Sequence, residues 1–159
     1  MTKTVTMAAA TVGRAEGGTP LNAFDNALLA AGIGNINLIK ISSILPPEMP
    51  VIELPKIKPG ALIPTAYAAA TSETPGETIA AAVGYAIPDD PAKNGVIMEF
   101  HGHATRGEAE RAIRGMLDEA FRVRGEAMRE VKVFAVEHTV ERVGCAVAAM
   151  TLLAEEDLV

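Results

Sequence analysis

The chain has 159 residues, 49% of them hydrophobic, which suits one packed domain and is short for two. A net charge of −6, with four Phe, two Tyr and no Trp, excludes the basic face and the stacking aromatic side chains of nucleic-acid binding. No apolar run reaches the length of a membrane span, and the first residues lack a signal-peptide pattern. Because Cys145 is the single cysteine, we expect a cytoplasmic protein without intrachain disulfides. From the charge and the missing apolar run, we expect neither nucleic-acid nor membrane partners.

The first third of the chain predicts two strands and one helix. A strand rich in Thr, Val and Ala is expected over residues 2–11, and a second strand over residues 35–42. Thr19 is a typical N-cap, followed by proline at the first helical position, so a helix is expected over residues 20–31. The proline-rich stretch 46–64 then predicts a long, mostly irregular connection.

The rest of the chain predicts five strands and a second helix. Thr105 and Glu108 have the spacing of a capping box, and apolar residues recur behind them at helical spacing as far as about Met128. The five strands are expected over residues 61–71, 78–87, 95–103, 131–140 and 144–153. Many strands with two separated helices favour an α/β sandwich over a doubly wound parallel sheet.

A metal site is one hypothesis for the end of the predicted strand 95–103. Alternation along a strand puts Glu99, His101 and His103 on one face, where two imidazoles and a carboxylate can bind a metal. Solvated histidines on an exposed strand have the same spacing and are more common, so we expect no metal.

The most informative segment is the serine pair Ser42-Ser43, which ends an apolar strand and is followed by Ile44-Leu45 and two prolines. A serine hydroxyl held against the carbonyl group of the preceding residue can attack it and cut the chain. Serine pairs are also frequent in turns, and from these residues alone a junction between strand and turn is the favoured interpretation.

A family resemblance changes that interpretation. The segments around the serine pair closely resemble the pyruvoyl-dependent arginine decarboxylases, and further matching segments follow in order along nearly the whole chain. The matching segments are residues 19–25, 32–47, 60–67, 75–79, 95–99, 135–141 and 144–146. His101 and His103 are outside the family's pattern, which weakens the metal hypothesis.

The resemblance implies that the chain processes itself. The Oγ atom of Ser43 would attack the carbonyl group of Ser42, with the Asn37 amide stabilising the oxyanion. Elimination and hydrolysis would leave a covalently bound pyruvoyl group at position 43, so that the single domain 1–159 becomes a small chain, 1–42, and a large chain, 43–159. The pyruvoyl group would take the place of pyridoxal phosphate, and no metal would be needed.

The resemblance also assigns roles in the reaction with substrate. The pyruvoyl group would form a Schiff base with L-arginine, and Glu99 would return a proton to the α-carbon after loss of CO2. Asp25 matches the residue that binds the guanidinium group, and Leu21 and Leu28 would cover the aliphatic stem. His138 belongs to a matching segment, with Glu137 before it, and receives no catalytic role.

The implied fold is a layered sandwich of β-sheets flanked by helices, and the implied assembly is a homotrimer with active sites between protomers. We therefore expect a carbon–carbon lyase that converts L-arginine to agmatine and CO2, and the agmatine would serve either polyamine biosynthesis or acid resistance. Two alternatives remain: a pyruvoyl-dependent decarboxylase of another amino acid, and a non-catalytic trimeric protein with the same fold.

Overall fold

The computed structural model describes residues 3–159, which form two four-stranded β-sheets with one helix on each outer face. The first sheet has the order β1 (Met7–Glu16), β8 (Gly144–Leu153), β4 (Leu62–Ser72), β2 (Asn37–Lys40). The second has the order β3 (Ile44–Leu45), β6 (Gly95–Gly102), β5 (Thr78–Pro88), β7 (Met128–Thr139). The helices are α1 (Pro20–Ala30) and α2 (Arg106–Arg124), and a 3-10 turn, Glu155–Asp157, lies near the C-terminus. The predicted layered α/β sandwich in a single domain is confirmed.

Alternation along β8 explains the layers. Ala146, Ala148 and Met150 face the second sheet in the central core, whereas Cys145 and Val147, on the opposite face, pack beneath α1. All ten residues of β8 are buried, because one face lies against a sheet and the other against a helix. Its small side chains allow both neighbours to approach closely.

The predicted starts of both helices are confirmed by their caps. Thr19 accepts a hydrogen bond from the backbone N–H of Asn22, and Thr105 forms the predicted capping box with Glu108. The predicted end of the second helix near residue 128 is wrong. Helix α2 stops at Arg124 because Gly125 adopts the left-handed conformation, with φ of 69°.

The first two predicted strands differ from the structure, and one short strand was not predicted. The first strand lies at 7–16 instead of 2–11, and Thr2 is outside the described residues. The second is shorter than predicted, and the two-residue strand β3 was not predicted at all. The connection after β3 is mostly irregular, as expected, and is held by isolated bridges from Val51 to Ala8 and from Ile57 to Leu158.

The short strands β2 and β3 determine the position of the serine pair. β2 is an edge strand of the first sheet, parallel to β4, whereas β3 is an edge strand of the second sheet, antiparallel to β6. Residues 41–43 therefore cross from one sheet to the other. Among the described residues, no helix is both long enough and apolar enough to cross a membrane.

Candidate active site

Ser43 lies at the crossing between the two sheets in a left-handed backbone conformation. Its φ is 71°, a region in which a residue with a side chain is strained by roughly 1–2 kcal/mol. The pairing of β3 with β6 holds it there, since the Ser43 carbonyl group accepts a hydrogen bond of 2.9 Å from the backbone N–H of Ile97. Only 9% of the residue is exposed. The backbone around this serine is therefore rigidly placed by a neighbouring strand.

Glu99 is the hydrogen-bond partner of the Ser43 hydroxyl. The Ser43 hydroxyl donates a hydrogen bond of 2.5 Å to Oε1 of Glu99, 56 residues further along the chain. Along β6, Val96 and Met98 face α2, whereas Ile97 faces the central core, so alternation puts Glu99 on the side where the serine lies. A carboxylate at this distance can take the hydroxyl proton and so turn Ser43 into a nucleophile.

Asn37 and Asp25 make no hydrogen bond with Ser43 in the structure, whereas Ser42 precedes it directly in the chain. Asn37 begins β2, six residues earlier, and its side-chain amide donates to the carbonyl group of Gly60 at 3.2 Å. Asp25 is exposed on α1, the helix that packs on the outer face of the first sheet. Of the predicted site residues, the fold brings Ser43 and Glu99 together and leaves Asn37 and Asp25 elsewhere on the protomer surface.

The two leucines predicted beside the substrate differ in exposure. Leu21, one turn before Asp25, is 74% exposed and presents a large apolar side chain to solvent. Leu28, one turn after it, is 8% exposed because it packs in the core between α1 and the first sheet. Leu29 is 47% exposed and, four residues after Asp25, lies beside it on the helix surface. The helix thus presents Leu21 and Leu29 on the two sides of the carboxylate.

No pattern in the sequence indicates the contact that links α1 to the strand before Ser43. The Lys40 Nζ atom lies 4.4 Å from the centre of the Tyr67 ring and donates to the Tyr67 carbonyl group at 2.6 Å. Phe24 of α1 packs against the same ring, with 6.5 Å between ring centres. Lysine and aromatic residues far apart in a chain have no characteristic spacing, so only the fold reveals this contact.

The three residues of the metal hypothesis are separated by their contacts. Glu99 accepts a hydrogen bond from Ser43. His103 lies past the end of β6, with its Nε2 atom 2.5 Å from Glu77 Oε1. His101 is exposed. Within residues 3–159, no three His, Cys, Asp or Glu side chains are grouped so that they could hold a metal ion.

Comparison with known proteins gives matches over most of the chain. The family model for pyruvoyl-dependent arginine decarboxylase matches residues 7–157. A pyruvoyl-dependent arginine decarboxylase of Methanocaldococcus jannaschii is 54% identical over 140 residues, 88% of this chain and 85% of its own length. Another, of Pyrococcus abyssi, is 47% identical over 153 residues, 94% of each chain.

A solved structure shares the fold at low sequence identity. A pyruvoyl-dependent histidine decarboxylase superposes with a TM-score of 0.50 at 16% identity, over 61% of this chain and 52% of its own. This similarity concerns the arrangement of strands and helices alone, and the chain spans about half the length of that protein. Together with the match over nearly the whole sequence, the comparisons show that the chain belongs to the pyruvoyl-dependent arginine decarboxylase family.

Proposed function

We propose that this chain cuts itself between Ser42 and Ser43 and, in the processed form, converts L-arginine to agmatine and CO2. The observation that supports it most directly is the hydrogen bond of 2.5 Å from the Ser43 hydroxyl to Glu99 Oε1, made by a serine with φ of 71°. Family membership supplies the reaction class, and the relatives from Methanocaldococcus jannaschii and Pyrococcus abyssi, both arginine decarboxylases, point to arginine as the substrate.

Self-processing begins with Glu99 acting as a base. As the carboxylate takes the hydroxyl proton, Ser43 Oγ bonds to the carbonyl carbon of Ser42, and the peptide C–N bond breaks to leave an ester and a free amine. Removal of the α-proton of residue 43 then expels the carboxylate of residue 42, which gives dehydroalanine. Its imine tautomer reacts with water, loses ammonia and leaves a pyruvoyl group on residues 43–159.

Strain at Ser43 favours the cut. The left-handed φ of 71° requires a peptide bond on the amino side of residue 43, and that bond disappears on cleavage. Release of roughly 1–2 kcal/mol, if it is fully expressed in the transition state, accelerates the first step by about tenfold. The pairing of β3 with β6 resists relaxation of this strain beforehand.

The residues present fit a pyruvoyl group at position 43. When formed, the group supplies an electrophilic carbonyl for the substrate amine and an electron sink for decarboxylation. The Ile97 N–H that binds the carbonyl group of residue 43 keeps this position next to Glu99 after the cut. Glu99 can then donate a proton to the substrate α-carbon, so one carboxyl group serves first as base and later as acid.

Recognition of arginine is proposed to require a neighbouring protomer. Asp25 is exposed on the far side of the first sheet from Ser43, and a homotrimer with sites between protomers would bring the two together. The Asp25 carboxylate would bind the guanidinium group in two parallel hydrogen bonds. Leu21 would cover the aliphatic stem, with Leu28 packed behind it. Asn37 would stabilise the oxyanion of self-processing in the same composite site.

A cavity beside β3 is separate from the proposed reacting side chains. It has a volume of about 230 Å³ and is lined by residues that include Leu45 and Gly95, but by neither Ser43 nor Glu99. The reacting side chains therefore lie outside this cavity of the single protomer.

The cytoplasmic location expected from the single cysteine stays a prediction.

Intact-mass measurement with a decarboxylation assay tests the proposal. We expect two fragments, the larger lighter by one molecule of ammonia than the hydrolytic fragment 43–159, and release of CO2 from L-arginine. Ser43→Ala should stay one chain and be inactive. Ser42→Ala is the matched control and should be cut, because the attack needs only the carbonyl group of residue 42.

Other outcomes point to the alternatives. Complete cutting without arginine turnover, but with turnover of another amino acid, would replace the substrate. A wild-type chain that stays whole and inactive would refute the enzyme proposal and favour a non-catalytic protein with this fold.

A further inference from the structure

Glu16, the last residue of β1, binds the whole turn between β7 and β8. Its Oε1 atom accepts hydrogen bonds from the backbone N–H groups of Arg142 at 2.8 Å and Val143 at 3.1 Å. Its Oε2 atom accepts from the N–H of Glu141 at 3.3 Å and lies 2.6 Å from Nε2 of His138. One carboxylate thus satisfies three backbone donors and one imidazole that are more than 120 residues away along the chain.

Position 144, next to this carboxylate, has room only for a glycine. A Cβ atom at position 144 would lie 2.5 Å from Glu16 Oε2 and 2.7 Å from His138 Cδ2, so the glycine there permits the contact. His138 is 9% exposed, and its Nδ1 atom is buried without a hydrogen-bond partner. Burial raises the pKa of Glu16, but the hydrogen bonds from His138 and the turn outweigh it and lower the pKa from 4.5 to about 2. The carboxylate is therefore ionised at neutral pH and firmly held.

The same residue is joined to the helix that carries Asp25. The backbone carbonyl group of Glu16 accepts a hydrogen bond of 3.0 Å from the side-chain amide of Asn26, and Gly17 N–H donates to Val143 O at 3.0 Å. A Cβ atom on Gly17 would lie only 2.4 Å from the backbone nitrogen of Ala23. The end of β1, the β7–β8 turn and the first turns of α1 therefore form one interlocked unit.

We propose that Glu16 is a positioning residue for arginine recognition: through the β7–β8 turn and Asn26 it sets where α1 presents Asp25. This inference rests on the proposed function, in which Asp25 binds the guanidinium group. A carboxylate that makes two parallel hydrogen bonds tolerates little displacement, so loosening of α1 weakens guanidinium binding. Ser43 lies in the crossing before β3, and Glu99 lies on β6. Neither shares these contacts, so we expect self-cleavage and the chemical step to be unaffected.

The variant Glu16→Gln tests this inference in the full, processed enzyme. The glutamine keeps the shape and one acceptor oxygen but loses the charge and the acceptor that faces Glu141 and His138. We expect complete self-cleavage, kcat within about twofold of wild type and a KM for arginine raised by about 3- to 10-fold, the size expected for weakening one charged contact. Inhibition by agmatine should weaken in parallel, whereas inhibition by n-hexylamine, which lacks the guanidinium group, should not change.

Two further variants keep the test decisive. Glu141→Gln removes a charge from the same turn but leaves the backbone N–H that Glu16 binds, and it should have the wild-type KM. Asn26→Ala breaks the link to α1 with the Glu16 carboxylate in place, and it should raise KM even if Glu16→Gln folds poorly.

Each adverse result has its own meaning. A wild-type KM in Glu16→Gln and Asn26→Ala, or an equal loss of agmatine and n-hexylamine binding, overturns the positioning role while wild-type turnover of arginine still stands. A wild-type enzyme that is cut but inactive on arginine contradicts the proposed function instead.

Discussion

The lowered pKa of Glu16 makes the stability of this fold depend on pH in the acid range. The pKa is 4.5 for the unperturbed group and about 2 in the folded chain. A group whose pKa is lower in the folded state stabilises the fold fully above its unfolded pKa. That stabilisation is lost as the pH falls from about 4.5 towards about 2, because the proton that binds breaks the hydrogen bonds to the carboxylate.

The size of the effect follows from the pKa and from exposure. The difference between 4.5 and about 2 corresponds to at most about 3 kcal/mol, at about 1.4 kcal/mol for each pKa unit. Since 26% of the Glu16 side chain is exposed, solvent screens part of this, and we expect about 1–2 kcal/mol. Glu16→Gln, which cannot ionise, should be less stable than wild type by that amount at pH 7, and the difference should shrink to about a quarter of it near pH 2.5.

Urea unfolding of both chains at one protein concentration, between pH 7 and pH 2.5, measures this difference. The charged side chains of Glu141 and Arg142, next to the carboxylate, are present in both chains, so the difference between the two curves reports the Glu16 carboxylate together with its contact with His138. Glu141→Gln should follow the wild-type curve. A gap of the same size at every pH, or no gap at pH 7, would refute the reasoning.

Three other perturbations have defined outcomes. Glu99→Gln keeps a hydrogen-bond acceptor for Ser43 but loses the base, so self-cleavage should slow by about 100-fold or more on denaturing gels. The control His101→Gln, on the same strand, should be cut at the wild-type rate. Equal rates of cleavage in the two variants would contradict the role of Glu99 as the base. Gly84→Ala puts a Cβ atom 2.4 Å from Ile113 Cγ2 and should lower the free energy of unfolding by about 1–3 kcal/mol. Gly115→Ala on α2 is the control: its Cβ atom would have nothing within 4 Å, so the free energy of unfolding should rise by up to about 1 kcal/mol. If urea unfolding shows both variants stabilised or both destabilised, the packing argument is refuted. Burial raises the pKa of the Cys145 thiol, so the folded chain should resist thiol-specific labelling and react only on unfolding; rapid labelling of the native protein would show that β8 opens.

Local patterns in the sequence were enough for the elements whose cause is local. The caps at Thr19 and Thr105 depend on a side chain and a backbone N–H three residues on, so both helix starts could be predicted. The strand at 144–153 also lies where predicted, since the residues that define it are contiguous. The end of α2 has a local signal in Gly125, but the apolar spacing continues beyond this glycine to Met128 and predicts a helix that is too long.

The chemistry depended on both levels. The serine pair, with the segments that resemble the family, pointed to Ser43 as the candidate nucleophile. Alternation along residues 95–103 placed Glu99 on the same face of the predicted strand as His101 and His103. The two-residue strand β3 is too short to have a pattern of its own; it exists because β6 offers a free edge. Only that pairing determines the crossing between sheets, the φ of 71° at Ser43 and the contact of 2.5 Å with a residue 56 positions away.

The Glu16 cluster shows the same division. The segment containing His138 resembled the family in the sequence, but no role could be assigned, because its partner is 122 residues away. Periodicity and caps report interactions within a few residues, so the sequence by itself determined most of the elements, and the family resemblance pointed to Ser43 as the candidate nucleophile. Tertiary structure decided which distant carboxylate faces each group, because only the packing of the two sheets brings β1, β6 and the β7–β8 turn to their partners.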